Sequence, residues 1–334
     1  MAAQGNINEM MHQTAPENAH ELQLSAEMTW GQILAEGQNH LKEAGIAEYN
    51  LDAWYLFEHA FGISRMQYFM CSAQKAEPEG AAWHEFSEGI RRRASREPLQ
   101  HILGTQEFMG LEFYVNQHTL IPRQDTETLV ELVLAEHKRK EIKLLDMCTG
   151  SGCIAISLAV HGGYSHVEAA DISEEALNVA GRNARKLLRD RLVILAEEKA
   201  AVEEQIETEA TASIRFRHSD MFSAFDETED KFDIIVSNPP YIPSDVIEEL
   251  EPEVRDFEPR GALDGTADGL FFYEILARQC GRFLTESGAV YFEIGHDQGE
   301  AVKALLDASG FIDTRVIKDL AGNDRVVCGK WQAK

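Results

Sequence analysis

Lys143-Leu144-Leu145-Asp146-Met147-Cys148-Thr149-Gly150-Ser151-Gly152 decides the fold of this chain. An apolar run of strand length closes on an acid and enters a turn with two glycines, and a helix whose apolar face begins at Ile154 follows. Small residues in such a turn let a ligand lie against bare backbone. A Gly-x-Gly turn alone is a weak signal, because tight strand-helix packing uses it as well. Its setting adds weight. From Thr126 onward helical periods alternate with further short apolar runs, Val167 to Ala170, Ile214 to Arg217, Phe232 to Val236 and Val290 to Ile294. Strand-helix alternation of this kind predicts an α/β fold with a doubly wound, mostly parallel sheet, and places sites at the carboxyl ends of its strands.

Acids recur at those ends. Asp171 closes the second run, where a carboxylate can accept both hydroxyls of a ribose; capping the helix that starts near Glu174 is the competing reading. Asp220, in His218-Ser219-Asp220-Met221-Phe222, is placed to accept from an adenine amino group while Met221 and Phe222 cover the ring, or else is a plain turn aspartate. The glycine turn lacks a downstream Lys-Ser/Thr, so it is no phosphate loop, and Cys148 stands where a pyrophosphate-binding dinucleotide fold needs its extra glycine. S-adenosylmethionine fits these features: a nucleoside, with a charged amino-acid tail for Asp146 and the turn to hold.

Asn238-Pro239-Pro240-Tyr241 follows the run Phe232 to Val236. An amide nitrogen is a poor nucleophile, its lone pair delocalised into the carbonyl. The Asn238 side-chain oxygen and the Pro239 carbonyl can hold both hydrogens of an NH2 group and aim its lone pair. Pro240 restricts Pro239 to extended backbone, and Tyr241 can pack on the amide plane. A rigid strand-ending turn is the alternative for the tetrapeptide in isolation. Beside the cofactor features it points to methyl transfer to nitrogen. The scheme needs no general base, so His218 and His296 are expected on the surface or in structural roles.

The chain has 334 residues, is 44% hydrophobic and carries a formal charge of −26, which suits two domains and opposes a nucleic-acid groove. Arg91-Arg92-Arg93 is the one basic cluster, and reads as a solvated helix face. A protein partner with a basic surface fits the charge better. No apolar run reaches bilayer length and Met1 to Thr29 lacks signal-peptide order, so a cytoplasmic protein is expected. The five cysteines are scattered, which predicts free thiols and no metal site.

The organisation reads as a disordered acidic head (1–25), a helical domain (26–104), a β-hairpin linker (105–124) and the sheet domain (125–334). Helices are expected from the Thr29 cap to near Gly45, after Asn50, and from about Glu79 to Arg96, with Pro98 as stop. Residues 107–115 alternate around Gly110, as in a hairpin with a bend or bulge. Between Arg191 and Ser213 the charged, alanine-rich run Glu197 to Gln205 reads as an exposed, inserted helix.

Asn238 to Tyr241, with Arg96-Glu97-Pro98-Leu99-Gln100-His101-Ile102-Leu103-Gly104, Leu120-Ile121-Pro122-Arg123-Gln124-Asp125-Thr126-Glu127 and Asp319-Leu320-Ala321-Gly322-Asn323-Asp324-Arg325, resembles the HemK/PrmC family of release-factor glutamine N5-methyltransferases. The resemblance runs from about Trp30 to the C-terminus. It implies the class I S-adenosylmethionine-dependent fold with a seven-stranded sheet, S-adenosylhomocysteine as product, and a class 1 peptide chain release factor as partner, whose Gly-Gly-Gln loop carries the acceptor glutamine. Cys148, Thr149, Gly150, Ser151, Gly152, Asp171, Met221 and Asn238 would then contact the cofactor, Asn238, Pro239, Pro240 and Tyr241 the glutamine, and the helical domain would help seat the release factor. A monomer is expected. Gln124 departs from a common Pro, Thr266 and Cys148 from common glycines, and Met221 from a frequently aromatic residue. Two neighbouring branches share the acceptor motif. One methylates a large-subunit ribosomal protein, which Asp125-Thr126-Glu127 disfavours. The other acts on adenine N6 in DNA, which needs a basic channel and is opposed by the charge. A binding protein that kept the fold and lost turnover is a third reading.

Overall fold

The computed structural model describes residues 25, 27–77, 80–188, 192–196 and 212–332. The head and the inserted helix expected between 197 and 205 lie outside them, Ser25 apart. By contact density the chain divides into Met1–Leu103 and Gly104–Lys334.

The first unit is helical: α1 (Trp30–Glu43), α2 (Tyr49–Phe61), α3 (Arg65–Cys71), α4 (Gly80–Ala94) and α5 (Leu99–Leu103). Thr29 caps α1 in a reciprocal box with Gln32, the two bonds measuring 3.3 and 2.8 Å. Phe57, fully buried, meets Trp30, Phe61, Tyr68 and Phe86 edge-on at centroid distances of 5.0 to 6.0 Å. The helix α4 ends sooner than expected, because Arg96 turns left-handed (φ 72°) before Pro98. The short helices α3 and α5 were not foreseen. In α3 no residue is buried, so it carries no inward apolar period, although its Ser64-Gln67 capping box was there to be read.

The arginine triplet is not a solvated face. Arg93 is buried and bonds Asp52 at 2.7 Å, while Arg91 pairs with Glu88 and Arg92 with Glu97. Each guanidinium is engaged by a carboxylate.

The second unit opens with the hairpin β1 (Thr105–Phe108) and β2 (Leu111–Tyr114). Phe108 pairs with Leu111, leaving Met109 and Gly110 as a tight two-residue turn, both at positive φ, in place of a bulge. The hairpin, expected as a linker, lies within this unit, and Phe108 and Phe113 are buried in its core. After it come α6 (Glu127–Glu136), β3 (Lys143–Met147), α7 (Cys153–Ser157), β4 (His166–Asp171), α8 (Glu174–Leu187), β5 (Leu192–Ala196), β6 (Ala212–His218), β7 (Phe232–Ser237), α9 (Pro252–Arg255), α10 (Phe271–Phe283), β8 (Leu284–Glu293), α11 (Gly299–Ser309), β9 (Phe311–Lys318) and β10 (Asp324–Trp331).

The sheet order is β5-β6-β4-β3-β7-β8-β10-β9, parallel from β5 through β8, with β10 antiparallel to both its neighbours. Among the described residues it has eight strands where seven were expected, β5 being the addition at one edge. Strands β9 and β10 fall outside the strand-helix alternation, and β9 is an edge strand buried at one end only, so neither carried a strong apolar run. Successive residues point to opposite faces. Leu144, Ile234 and Val326 pack in one apolar cluster and Leu145, Ile235 and Val327 in the other. Both faces of the sheet are therefore covered, as a doubly wound fold requires. From β3 the chain steps to β4 on one side and later to β7 on the other, a switch point at the carboxyl ends of β3 and β7.

Candidate functional site

A cavity of about 500 Å3 opens at that switch point. Its wall takes Met147 to Ser151 after β3, Asp171 to Ser173 after β4, Ser219 to Met221 after β6, and Asn238 and Pro240 after β7. The lining also takes Thr119, Leu120, Pro122, Arg123 and Thr126, with Pro259, Gly261, Ala262, Asp264 and Phe272.

The glycine turn needs backbone that L-residues avoid. Cys148, Gly150 and Gly152 lie at φ 64°, 55° and 80°. A Cβ on Gly150 would meet nothing within 4 Å, whereas one on Gly152 would sit 3.0 Å from Ile156 and 3.1 Å from Ala180. Gly150 thus leaves open space on the cavity side, and Gly152 lets α7 and α8 pack closely. The left-handed backbone at Cys148 is the physical reason a glycine suits that position, and burial pushes its thiol well above the ordinary range.

Asp146 does not contact the cavity. It is fully buried, its Oδ2 accepting from the Thr149 hydroxyl at 2.7 Å and the Ala155 N–H at 3.1 Å, so it staples the turn to the start of α7. Burial pushes its carboxyl up to about 7 despite these two bonds, and Oδ1 has no hydrogen-bond partner. The expectation that it holds a ligand's charged tail is corrected: an acid at a strand end can point into the turn as readily as out of it. Asn183, which the sequence did not single out, backs the turn from behind. Its Nδ2 donates to the Ser151 and Tyr114 carbonyls at 2.9 and 3.0 Å, and its Oδ1 accepts the Tyr114 N–H at 2.7 Å.

Asp171 stands on the wall with its oxygens taken by the backbone N–H groups of Gly150 (2.8 Å) and Ser173 (2.9 Å), and burial raises its carboxyl. Ser173 caps α8 itself, its hydroxyl oxygen accepting the Ala176 N–H at 3.1 Å, so Asp171 is not the cap. Asp220 is exposed on the wall and Met221, at φ 47°, beside it. Phe222 faces the core instead, stacked on Phe283 at 4.6 Å, so only Met221 remains to cover a ring. His218 donates through Nε2 to the Ile172 carbonyl, 2.8 Å away, and His296 is exposed; neither lies on the wall.

Asn238 and Pro240 reach the wall, whereas Pro239 and Tyr241 do not. In extended backbone neighbours alternate sides, and Tyr241 packs toward the core, its hydroxyl pushed up to about 12 by burial. Packing of Tyr241 on a substrate amide is therefore not supported, while a role for the Pro239 carbonyl does not depend on where its ring points. Gln298 donates to the Tyr241 carbonyl at 3.0 Å and accepts the Gly295 N–H at 2.9 Å. Residues 263–266 run alongside, with Ile242 N–H to Leu263, Gly265 N–H to Ile242 and Ser244 N–H to Thr266 at 2.8 to 3.0 Å.

Behind Asn238 lies a polar cluster missed from sequence. Glu293, 1% exposed at the end of β8, takes hydrogen bonding from Thr126 and Asn238 and faces Arg325. The Asn238 amino group is 3.5 Å from the Thr126 hydroxyl. Arg325 bridges Asp319 and Asp125, both at 3.1 Å, drawing two of the quoted motifs together. Arg123 bonds the buried Glu258, which also accepts the Ile121 N–H at 3.0 Å and so ties down the stretch of wall around Leu120 to Arg123. The signal available for Glu293 was an acid inside the apolar run Val290 to Ile294.

A PrmC N-terminal domain model matches residues 32–104, and an Eco57I restriction-modification methylase model matches 165–273, a span that includes Asn238 to Tyr241. Release factor glutamine methyltransferases of Clostridium botulinum and Geobacter sulfurreducens are 38% and 36% identical to the chain, over 88% and 89% of its length and 96% and 95% of theirs. Among solved structures, the release factor-specific protein-(glutamine-N5) methyltransferase of Alicyclobacillus acidocaldarius aligns with 28% identity and a TM-score of 0.37, covering 66% of this chain and 100% of that one.

Proposed function

Because the chain belongs to the release factor glutamine methyltransferase family, we propose that it moves a methyl group from S-adenosylmethionine to the side-chain N5 nitrogen of a class 1 peptide chain release factor, at the glutamine of its Gly-Gly-Gln loop. One observation carries this reading: the glycine turn and Asn238 stand on the wall of one cavity. A volume of about 500 Å3 falls in the range of small-molecule sites, and bare backbone at Gly150 with carboxylates at Asp171 and Asp220 suits a nucleoside. When bound, S-adenosylmethionine supplies an electrophilic methyl on a sulfonium sulfur.

The chain's own residues hold and orient the acceptor. The Asn238 oxygen and the Pro239 carbonyl take the two hydrogens of the glutamine NH2, leaving its lone pair free along one axis. Positioning of this kind is worth roughly 7 to 11 kcal/mol in well-oriented systems. A glutamate at the same place offers no N–H and leaves both acceptors unpaired, at about 1 to 3 kcal/mol each. The proton leaves to water once the nitrogen has gained its methyl. The helical unit helps to seat the release factor, and the setting is the cytoplasm, where release factors work.

The match to a restriction-modification methylase model favours one second reading, an adenine amino group as acceptor, since adenine presents the same NH2 geometry. The charge of −26 and the pairing of Arg91, Arg92 and Arg93 with acids weigh against a phosphate-gripping surface. Incubation of the purified protein with labelled S-adenosylmethionine and a release factor, followed by mass spectrometry, tests the assignment. One methyl at the Gly-Gly-Gln glutamine is expected, absent when that glutamine is alanine and absent with Asn238→Ala enzyme. Label on DNA or on a ribosomal protein alone overturns it.

A further inference from the structure

We propose that Glu293 is a positioning residue whose carboxylate fixes the Asn238 side-chain amide with its NH2 turned inward and its oxygen turned to the cavity. The inference rests on the acceptor role given above to the Asn238 oxygen.

An asparagine amide can present either end, and the reaction needs the oxygen. The strand β7 pairs in parallel with β8, Ser237 opposite Phe292, so the next residues, Asn238 just past β7 and Glu293 at the last position of β8, stand side by side. An ionised carboxylate only accepts hydrogen bonds, and therefore calls for the amino end of its neighbour. Thr126 and Asn238 both hydrogen-bond toward Glu293, and the Asn238 amino group lies 3.5 Å from the Thr126 hydroxyl oxygen, whose own hydrogen can be given to Glu293. Donors from Asn238 and Thr126 then point one way, toward a common acceptor. A protonated Glu293 gains an O–H of its own and removes that direction.

Stability alone does not explain this acid. It is buried at the end of an apolar strand, with Oε2 lacking a hydrogen-bond partner among the described residues, where an apolar side chain costs less. The groups facing it are Arg325 on β10, Asp125 ahead of α6, Tyr241 after β7, Tyr273 on α10 and Cys153 on α7. Arg325 favours the carboxylate and Asp125 opposes it. Burial outweighs both and pushes the carboxyl up to about 7, so the orienting form is populated above that pH and lost below it.

The test is Glu293→Gln, an isostere whose own amide can donate. In wild-type enzyme kcat for release-factor methylation is expected to rise with pH through about 7. In Glu293→Gln it should fall about 100-fold and lose that rise, with the S-adenosylmethionine dissociation constant within about twofold of wild type. Glu293→Asp, which keeps a carboxylate, should recover about tenfold over Gln. Thr126→Val, which removes that hydroxyl, should lower kcat about tenfold at unchanged KM and serves if Glu293→Gln does not fold. Independently of turnover, the Asn238 side-chain NH2 resonance should shift with pH through about 7 in wild type and stay still in Glu293→Gln. A folded Glu293→Gln enzyme with wild-type kcat and pH profile, or an unmoved Asn238 resonance in wild type, overturns the inference. A wild-type enzyme that shows the resonance shift but leaves the release factor unmethylated overturns the function proposed above instead.

Discussion

Gly269→Ala tests whether the backbone beyond Pro240 must stay where it is. Gly269 has φ 73°, and a Cβ there would lie 2.2 Å from the Tyr241 carbonyl oxygen and 2.6 Å from the Gln298 amide nitrogen. Two terms add. Left-handed backbone costs an L-residue roughly 1 to 2 kcal/mol. The overlap is worse, because 3.0 Å is the least separation that real Cβ atoms show, so backbone must open by roughly 0.8 Å. Gln298 can yield as a side chain, but the carbonyl moves only with Tyr241 and with the Pro239-Pro240 segment that precedes it. A shift of about 1 Å at a positioning group can cost about 100-fold in rate. Hence kcat/KM for methylation is expected to fall about 100-fold, urea unfolding to show a loss of roughly 2 to 4 kcal/mol, and S-adenosylmethionine affinity to change little, because the glycine turn lies on other strands. Gly261→Ala is the control. That position lines the cavity with nothing within 4 Å of a Cβ, and should be near neutral. A Gly269→Ala enzyme with wild-type kcat/KM would refute the link between this contact and the acceptor motif.

Other perturbations have outcomes of known sign. Asp146 has its carboxyl raised to about 7, so the stability it contributes is complete below its unfolded value of 3.8 and is lost as pH rises through about 7. Asp146→Asn removes that loss, and its stability relative to wild type, measured by urea unfolding, should improve by roughly 2 to 3 kcal/mol between about pH 5 and about pH 8; no change in the difference contradicts the burial argument. Thr266, exposed at φ 70°, should give way to glycine with a gain of about 0.5 to 1 kcal/mol, read as a rise in Tm at unchanged activity. Arg93→Ala removes one partner of a buried ion pair, the guanidinium that bonds Asp52 at 2.7 Å, and should cost about 3 to 5 kcal/mol, whereas Arg91→Ala, on an exposed pair, should cost less than about 1 kcal/mol.

Much of this molecule is local information, and local information is what a sequence carries. The runs Lys143 to Met147 and Phe232 to Val236 became strands because short, largely apolar runs of that length suit a sheet covered on both faces, and the Thr29-Gln32 pair capped α1 because a cap reads over three residues. The cofactor turn and Asn238 were legible for the same reason, their chemistry being contained in a few adjacent residues. Direction was harder. Asp146 was recognised as a strand-end acid, but whether it points into the turn or out to a ligand depends on Ala155, nine residues on, and Phe222 was assigned to the cavity until Phe283 claimed it for the core. What only the tertiary structure decided lies further apart still: Glu293 beside Asn238, Gln298 on the Tyr241 carbonyl, Asn183 behind the glycine turn. Each joins residues tens of positions apart through sheet order and register, and the free energy of a buried polar group is set by the partner it meets there, which no single stretch of chain contains.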